Sequence, residues 1–110
     1  MAAEFYKQGD ALVVKPGKRL DTTTSPEIDR ELTTRIETGE SKIVFDFDDT
    51  DYVSSAGLRV MMKAVKATAK LGGGVGLCHA NAHVREVLDL CGFLSLFKAG
   101  KTISKTIQML

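Results

Sequence analysis

Two adjacent hydroxyls, Ser54 and Ser55, stand in the run Tyr52-Val53-Ser54-Ser55-Ala56-Gly57-Leu58, between a short β-rich segment and a helix studded with lysines. A serine at such a strand-to-helix junction has three available chemistries: capping the helix, attacking a carbonyl, or accepting a phosphoryl group. The first N–H groups of a helix lack intrahelical partners, and the positive end of its dipole favours an anion. A phosphoserine there need not melt its own helix. Nucleophilic attack fits poorly, because Val53-Ser54-Ser55-Ala56-Gly57 lacks the first glycine of G-x-S-x-G and the chain is short for an α/β-hydrolase sheet with its acid and histidine.

The remaining reactive side chains form no familiar local pattern. Cys78 and Cys91 are too far apart for C-x-x-C and have no second pair, so two buried structural thiols are expected and no metal or redox centre. His79 and His83 are i, i+4, but His79 falls at a strand end before the next helix, which argues against a shared face and a metal pair. Leu71-Gly72-Gly73-Gly74-Val75-Gly76 precedes a strand and has no following Lys-Ser/Thr, so it reads as a linker and not a phosphate loop. No cofactor is expected.

The elements that position Ser54 and Ser55 follow from hydrophobic periodicity and turn residues. Glu4–Gln8 and Ala11–Lys15 flank Gly9-Asp10 as an opening hairpin, ended by Pro16-Gly17. Thr24 or Ser25 is expected to cap a helix with Pro26 at its first position, with Thr24-x-x-Glu27 as a capping box; Ile28, Leu32 and Ile36 form its apolar stripe and Gly39 stops it. Lys42–Phe47 reads as a central strand, followed by the acidic loop Asp48-Asp49-Thr50-Asp51. A second helix runs from about Ser55 to Leu71, with Leu58, Met61, Met62, Val65 and Ala69 as its buried side and Lys63, Lys66 and Lys70 as its wet one. Val75–Cys78 is a further strand. Asn81 caps a helix carrying Val84, Val87, Leu88 and Cys91, Leu96–Lys98 is an edge strand, and a last helix aligns Ile103, Ile107 and Leu110.

Alternating strands and helices predict an α/β fold, a mixed, mostly parallel sheet with an opening β-hairpin and about four helices. With 110 residues, 44% hydrophobic and 26% charged, the chain is expected to be one globular domain over residues 1–110. Its net charge of +1 and scattered lysines argue against nucleic-acid binding. No apolar run nears the roughly 20 residues needed to span a bilayer, and Met-Ala-Ala-Glu-Phe-Tyr-Lys lacks the features of a signal peptide, so a cytoplasmic protein without a membrane partner is expected.

Asp46-x-Asp48 followed by Tyr52-Val53-Ser54-Ser55-Ala56-Gly57-Leu58 resembles the signature of STAS-domain anti-sigma factor antagonists. Gly17-x-x-Leu20-Asp21 resembles that family's loop into the first helix, and with the element order the likeness covers nearly the whole chain. The resemblance implies a binding module and not an enzyme. In that family an ATP-binding anti-sigma factor that is also a serine kinase phosphorylates a serine at this helix start, and a PP2C-type phosphatase removes the phosphate. The unmodified form binds the kinase and frees its sigma factor. Alignment through Gly57-Leu58 places the phosphoacceptor at Ser55, with Ser54, which replaces the family's aspartate, as the neighbouring alternative.

Asp21, Asp46, Asp48 and Asp51 then belong to the switch loop together with Ser54, Ala56, Gly57 and Leu58, and Arg59 and Met62 to the docking face. Asp21 and Asp46 either hold that loop by accepting backbone N–H bonds or are an ordinary turn residue and a solvent-facing strand-end acid. Gly57 costs about 1 kcal/mol inside a helix, a cost that makes sense if a partner must approach closely. The alternative to a switch is a STAS scaffold that binds its partners constitutively within a signalling assembly, with Ser55 never modified.

Overall fold

The computed structural model describes residues 3–110. Its main sheet has the order β1-β2-β4-β6-β7, built from β1 (Glu4–Gln8), β2 (Ala11–Lys15), β4 (Lys42–Asp46), β6 (Gly74–Cys78) and β7 (Lys98–Gly100). The β1–β2 hairpin is antiparallel and every other pairing is parallel. The α/β expectation and the opening hairpin are borne out. A second, two-residue parallel sheet, β3 (Arg19–Leu20) with β5 (Tyr52–Val53), was not anticipated.

Period-two alternation divides the central strands between two cores. Leu12, Val14, Ile43, Phe45, Val75 and Leu77 face α1 (Ser25–Glu37), α2 (Ser55–Ala69) and α3 (Ala82–Leu90). Ala11, Val13, Val44 and Cys78 face the other way, against Ile103, Ile107 and Leu110 on and just beyond α4 (Ile103–Gln108). Strands covered on both faces read as unbroken apolar runs, as Ile43–Phe45 does. Gly76 belongs to the second face, where an added Cβ would collide with Thr106 of α4.

Four local expectations need correction. Thr24 stands at the N-cap of α1 but its side chain caps nothing there: its hydroxyl donates to the Arg19 carbonyl at 2.8 Å and accepts from the Asp21 N–H at 3.0 Å, so the capping box with Glu27 does not form. The buried stripe of α2 is Gly57, Leu58, Val60, Met61, Ala64 and Thr68, whereas Met62 and Val65 are half-buried and Ala69 is exposed. The edge strand begins at Lys98; Leu94–Leu96 is a 3-10 turn and Phe97 plugs the core. Cys91 is exposed and only Cys78 is buried.

The two thiols should therefore differ sharply in reactivity. Burial, reinforced by the nearby Asp46 carboxylate, pushes the Cys78 thiol up to about 12, and the thiolate is the reactive form. Titration of the native protein with DTNB is expected to show one fast thiol, abolished in Cys91→Ser, and a second only on unfolding. Two fast thiols in the native state would contradict this packing.

Candidate functional site

The loops that leave the C-terminal ends of β2, β4 and β6 are tied to one another. The Thr50 hydroxyl donates to the Gly17 carbonyl at 2.6 Å, the Asp51 N–H donates to Lys18 O at 2.8 Å, and the Ser54 N–H donates to Leu20 O at 2.9 Å. From the third loop, Asn81 Nδ2 donates to Thr50 O at 3.3 Å while its Oδ1 caps α3 by accepting from the Val84 N–H at 2.8 Å. In open α/β sheets the crevice beyond the carboxyl ends of the strands is the usual place for ligands. Here it holds the start of α2.

Ser54 is the N-cap of α2: its backbone is extended and its Oγ accepts from the Gly57 N–H at 3.4 Å. Ser55 is the first helical residue, is exposed, and makes no side-chain hydrogen bond among the described residues. The two serines are thus separated by role, one occupied in holding the helix end and the other presented to solvent. Ser54→Ala is expected to cost about 1 kcal/mol of stability, the usual value of a lost N-cap, measured by urea unfolding.

Gly57 and Leu58 are buried and do not form a contact surface. A Cβ on Gly57 would lie 2.5 Å from Leu20 O, 2.7 Å from Leu20 Cγ and 3.1 Å from Val53 Cγ1. The close approach that requires glycine is therefore internal, between α2 and the β3–β5 sheet. This corrects the expectation that Gly57 makes room for a partner.

The carboxylates hold the loops. Asp21 Oδ1 accepts from the Thr23 and Thr24 N–H groups at 3.0 and 3.2 Å, and Oδ2 from Arg19 Nε at 2.9 Å. The Arg19 hydrogen bond, helped by those backbone donors, holds the Asp21 carboxyl below its usual range. Asp46, 4% exposed, is no solvent-facing acid: its Oδ1 accepts from the Asp48 N–H at 3.1 Å and lies 2.8 Å from His79 Nδ1. Asp48, Asp49 and Asp51 are exposed, and Asp49 pairs with Lys15 at 3.5 Å.

Arg59 is exposed one helical turn beyond Ser55. With half-buried Ala56, and with Val60, Lys63, Thr22 and Pro26, it lines a shallow groove between the starts of α1 and α2. Met62 packs partly against the core and borders a second depression among Arg59, Lys63 and Lys66. Beside Ser54, the Arg19 guanidinium sits 4.5 Å over the Tyr52 ring, which stacks on His83 at 6.0 Å. Sequence reading missed this Arg19-Tyr52-His83 stack, since its members come from β3, β5 and α3, far apart in the chain, and carry no local pattern. His79 and His83 are not brought together as a pair; His79 turns to Asp46 and His83 to Tyr52.

A mixed sheet with its opening hairpin, and a serine displayed at the start of the helix after the central strand, define a STAS domain. The STAS domain family model matches residues 2–109, and the chain belongs to that family. Among its relatives is BtrV of Bordetella bronchiseptica, named as an anti-sigma factor antagonist, 37% identical over 78 residues that cover 71% of this chain and 67% of that one. The structure also resembles a Thermotoga maritima protein named as an anti-sigma factor antagonist, with TM-score 0.91 and 22% identity over 97% of this chain and 92% of that chain. SpoIIAA of Bacillus matches in its unphosphorylated form with TM-score 0.87 and 17% identity over 98% and 95% of the two chains, and in its phosphorylated form with TM-score 0.79 and 17% identity over 98% of each. At these identities the structural likeness is one of fold.

Among the described residues no helix is long and apolar enough to cross a membrane.

Proposed function

We propose that this protein is an anti-sigma factor antagonist, a cytoplasmic binding module and not an enzyme, switched by phosphorylation of Ser55. The observation that carries the reading is the division of labour at the start of α2: Ser54 caps the helix, and Ser55 offers a hydroxyl that is exposed and free of internal hydrogen bonds. A kinase can reach such a hydroxyl without dismantling the fold. The relative BtrV, named as an antagonist and similar over most of this chain, supports the class of activity.

The partner is an anti-sigma factor carrying an ATP-binding serine kinase domain, and a PP2C-type phosphatase resets the switch. Unmodified, the protein docks through the surface around Ser55, with Ala56, Arg59 and Met62 on the helix and Asp48 and Asp51 on the preceding loop. Asp21 and Asp46 keep the loops in place from within, as their backbone hydrogen bonds indicate. Phosphorylation adds roughly −1.5 to −2 charges next to three exposed aspartates, so a partner surface matched to a neutral serine is repelled. The phosphate itself is well placed, at a helix N-terminus and i, i+4 from Arg59. The modified protein therefore stays folded while its affinity falls.

Competition tests this directly. Added to a preformed complex of the cognate anti-sigma factor and its sigma factor, the unmodified protein is expected to release sigma factor in proportion to the amount added, and the phosphorylated protein to release none. Release by neither form would remove the antagonist role, and equal release by both would leave a scaffold that binds without switching.

A further inference from the structure

On the α4 side of the sheet, the C-terminal ends of β4 and β6 assemble an acid, a thiol and an imidazole. The strand register pairs Asp46 with Cys78, and His79 follows directly. Cys78 Sγ lies 3.9 Å from Asp46 Oδ1, His79 Nδ1 lies 2.8 Å from the same oxygen, and the three donor atoms all fall within 4.8 Å of one another. Asp46 and Cys78 are 4% and 1% exposed, while the His79 side chain keeps 35% of its surface in solvent.

Two further details set this trio apart from ordinary strand ends. His79, at φ 60°, is the one non-glycine residue with positive φ among the described residues, and its ring is turned onto Asp46. Such backbone is uncommon outside glycine, although histidine tolerates it better than most residues. Asp46 also spends a single oxygen on its protein contacts: Oδ1 meets the Asp48 N–H, Cys78 and His79, and among the described residues no protein group bonds to Oδ2.

A carboxylate, a thiol and an imidazole form a mixed donor set suited to a borderline-soft divalent ion. Tetrahedral zinc, with bonds of about 2.0–2.1 Å to oxygen and nitrogen and about 2.3 Å to sulfur, needs ligand separations of roughly 3.3–3.6 Å. The two separations from Asp46 Oδ1, 2.8 and 3.9 Å, bracket that range, and the third, between Nδ1 and Sγ, lies within 4.8 Å, so seating the ion requires the three side chains to draw together around it. Lys15, whose charge is felt by Asp46, is paired with Asp49 at 3.5 Å.

We infer that Asp46, Cys78 and His79 form a site for a divalent ion of the zinc class, bound through a carboxylate oxygen, Sγ and Nδ1, with water completing the coordination on the exposed His79 side. On binding, the Cys78 S–H proton is released to solvent and the thiolate takes the ion. Because Asp46 also holds the Asp48 N–H, the ion would stiffen the acidic loop that leads to α2. The inference is independent of phosphorylation at Ser55. It departs from the expectation of no metal site, which rested on local spacing; these ligands come from neighbouring strands 32 residues apart in sequence.

The test uses the reduced full-length protein titrated with Co2+ and then with competing Zn2+. One equivalent of Co2+ is expected to bind with a thiolate-to-cobalt charge-transfer band in the near ultraviolet, bleached by Zn2+. The band should vanish in Cys78→Ala, persist in Cys91→Ser, and require at least tenfold more Co2+ in His79→Asn, where asparagine keeps a residue tolerant of positive φ. Circular dichroism of each variant checks folding, and His79→Asn carries the test should Cys78→Ala fail to fold. Absence of the band in the unsubstituted protein, or its survival in Cys78→Ala, would overturn the site.

Discussion

Ser55→Asp is expected to weaken binding to the anti-sigma kinase tenfold to a hundredfold while leaving the fold intact or slightly more stable. The binding loss corresponds to about 1.4–2.8 kcal/mol, enough to redistribute a partner shared between two ligands. Stability should not fall, because the Ser55 side chain is exposed and makes no hydrogen bond whose loss would count. An acid in the first turn of a helix is moreover favoured by the dipole, by about 0.3–1 kcal/mol at an exposed position. Ser55→Ala is expected to bind as the unmodified protein does and to escape regulation. Titration calorimetry beside thermal unfolding separates the two effects: lost binding with a lowered unfolding midpoint would point to damage and not to a switch.

Gly57→Ala is expected to act in the opposite way, through the fold. Its Cβ would meet Leu20 O at 2.5 Å, and that oxygen cannot simply move because it accepts from the Ser54 N–H at 2.9 Å. Overpacking of this kind costs about 1–3 kcal/mol, offset by up to about 1 kcal/mol from replacing a helical glycine. A net loss near 2 kcal/mol would lower the unfolding midpoint by roughly 10 °C in a domain of this size. Gly57→Val should lose more. Unchanged stability with lost binding would return Gly57 to the partner surface, where the sequence alone had placed it.

The glycine is a fair measure of what the sequence could disclose. That Gly57 needs a close neighbour follows from its cost in a helix; which neighbour does not, because Leu20 is 37 residues away and its two-residue strand has no periodicity to detect. Long elements were legible because their stripes are: Ile28 and Leu32 in α1 and Val84 and Leu88 in α3 are buried as their spacing requires. The buried side of α2 departs from the expected stripe because it is rotated toward Val60, Ala64 and Thr68 and away from Val65 and Ala69, and its small or polar members Gly57, Ala64 and Thr68 carry no hydrophobic signal to fix that rotation. Thr68 is tolerated there since its hydroxyl donates to Ala64 O at 2.8 Å.

The candidate site divides in the same way. Ser55, and Ser54 beside it, were visible as a strand-to-helix junction, and Asn81 as the cap of α3, since each depends on near neighbours in the chain. The burial of Asp46 was not visible, because its neighbour in the adjacent strand, Cys78, is set by sheet register. Phe97 has the residue type of a strand, whereas it is apolar because it closes the core after a 3-10 turn. Thr24 has the right type and spacing for a capping box, but its hydroxyl is engaged by the backbone of the turn before it, at Arg19 and Asp21, whose path the residue types do not reveal.

The central claim is that Ser55 is the residue the partner kinase modifies. Its most direct test is intact-mass and phosphopeptide analysis after incubation with ATP and the cognate anti-sigma kinase, beside Ser55→Ala and Ser54→Ala. One added phosphoryl group, abolished by Ser55→Ala and retained in Ser54→Ala, is the predicted result. A protein that binds the kinase yet gains no mass, or that is modified at Ser54 instead, would contradict it.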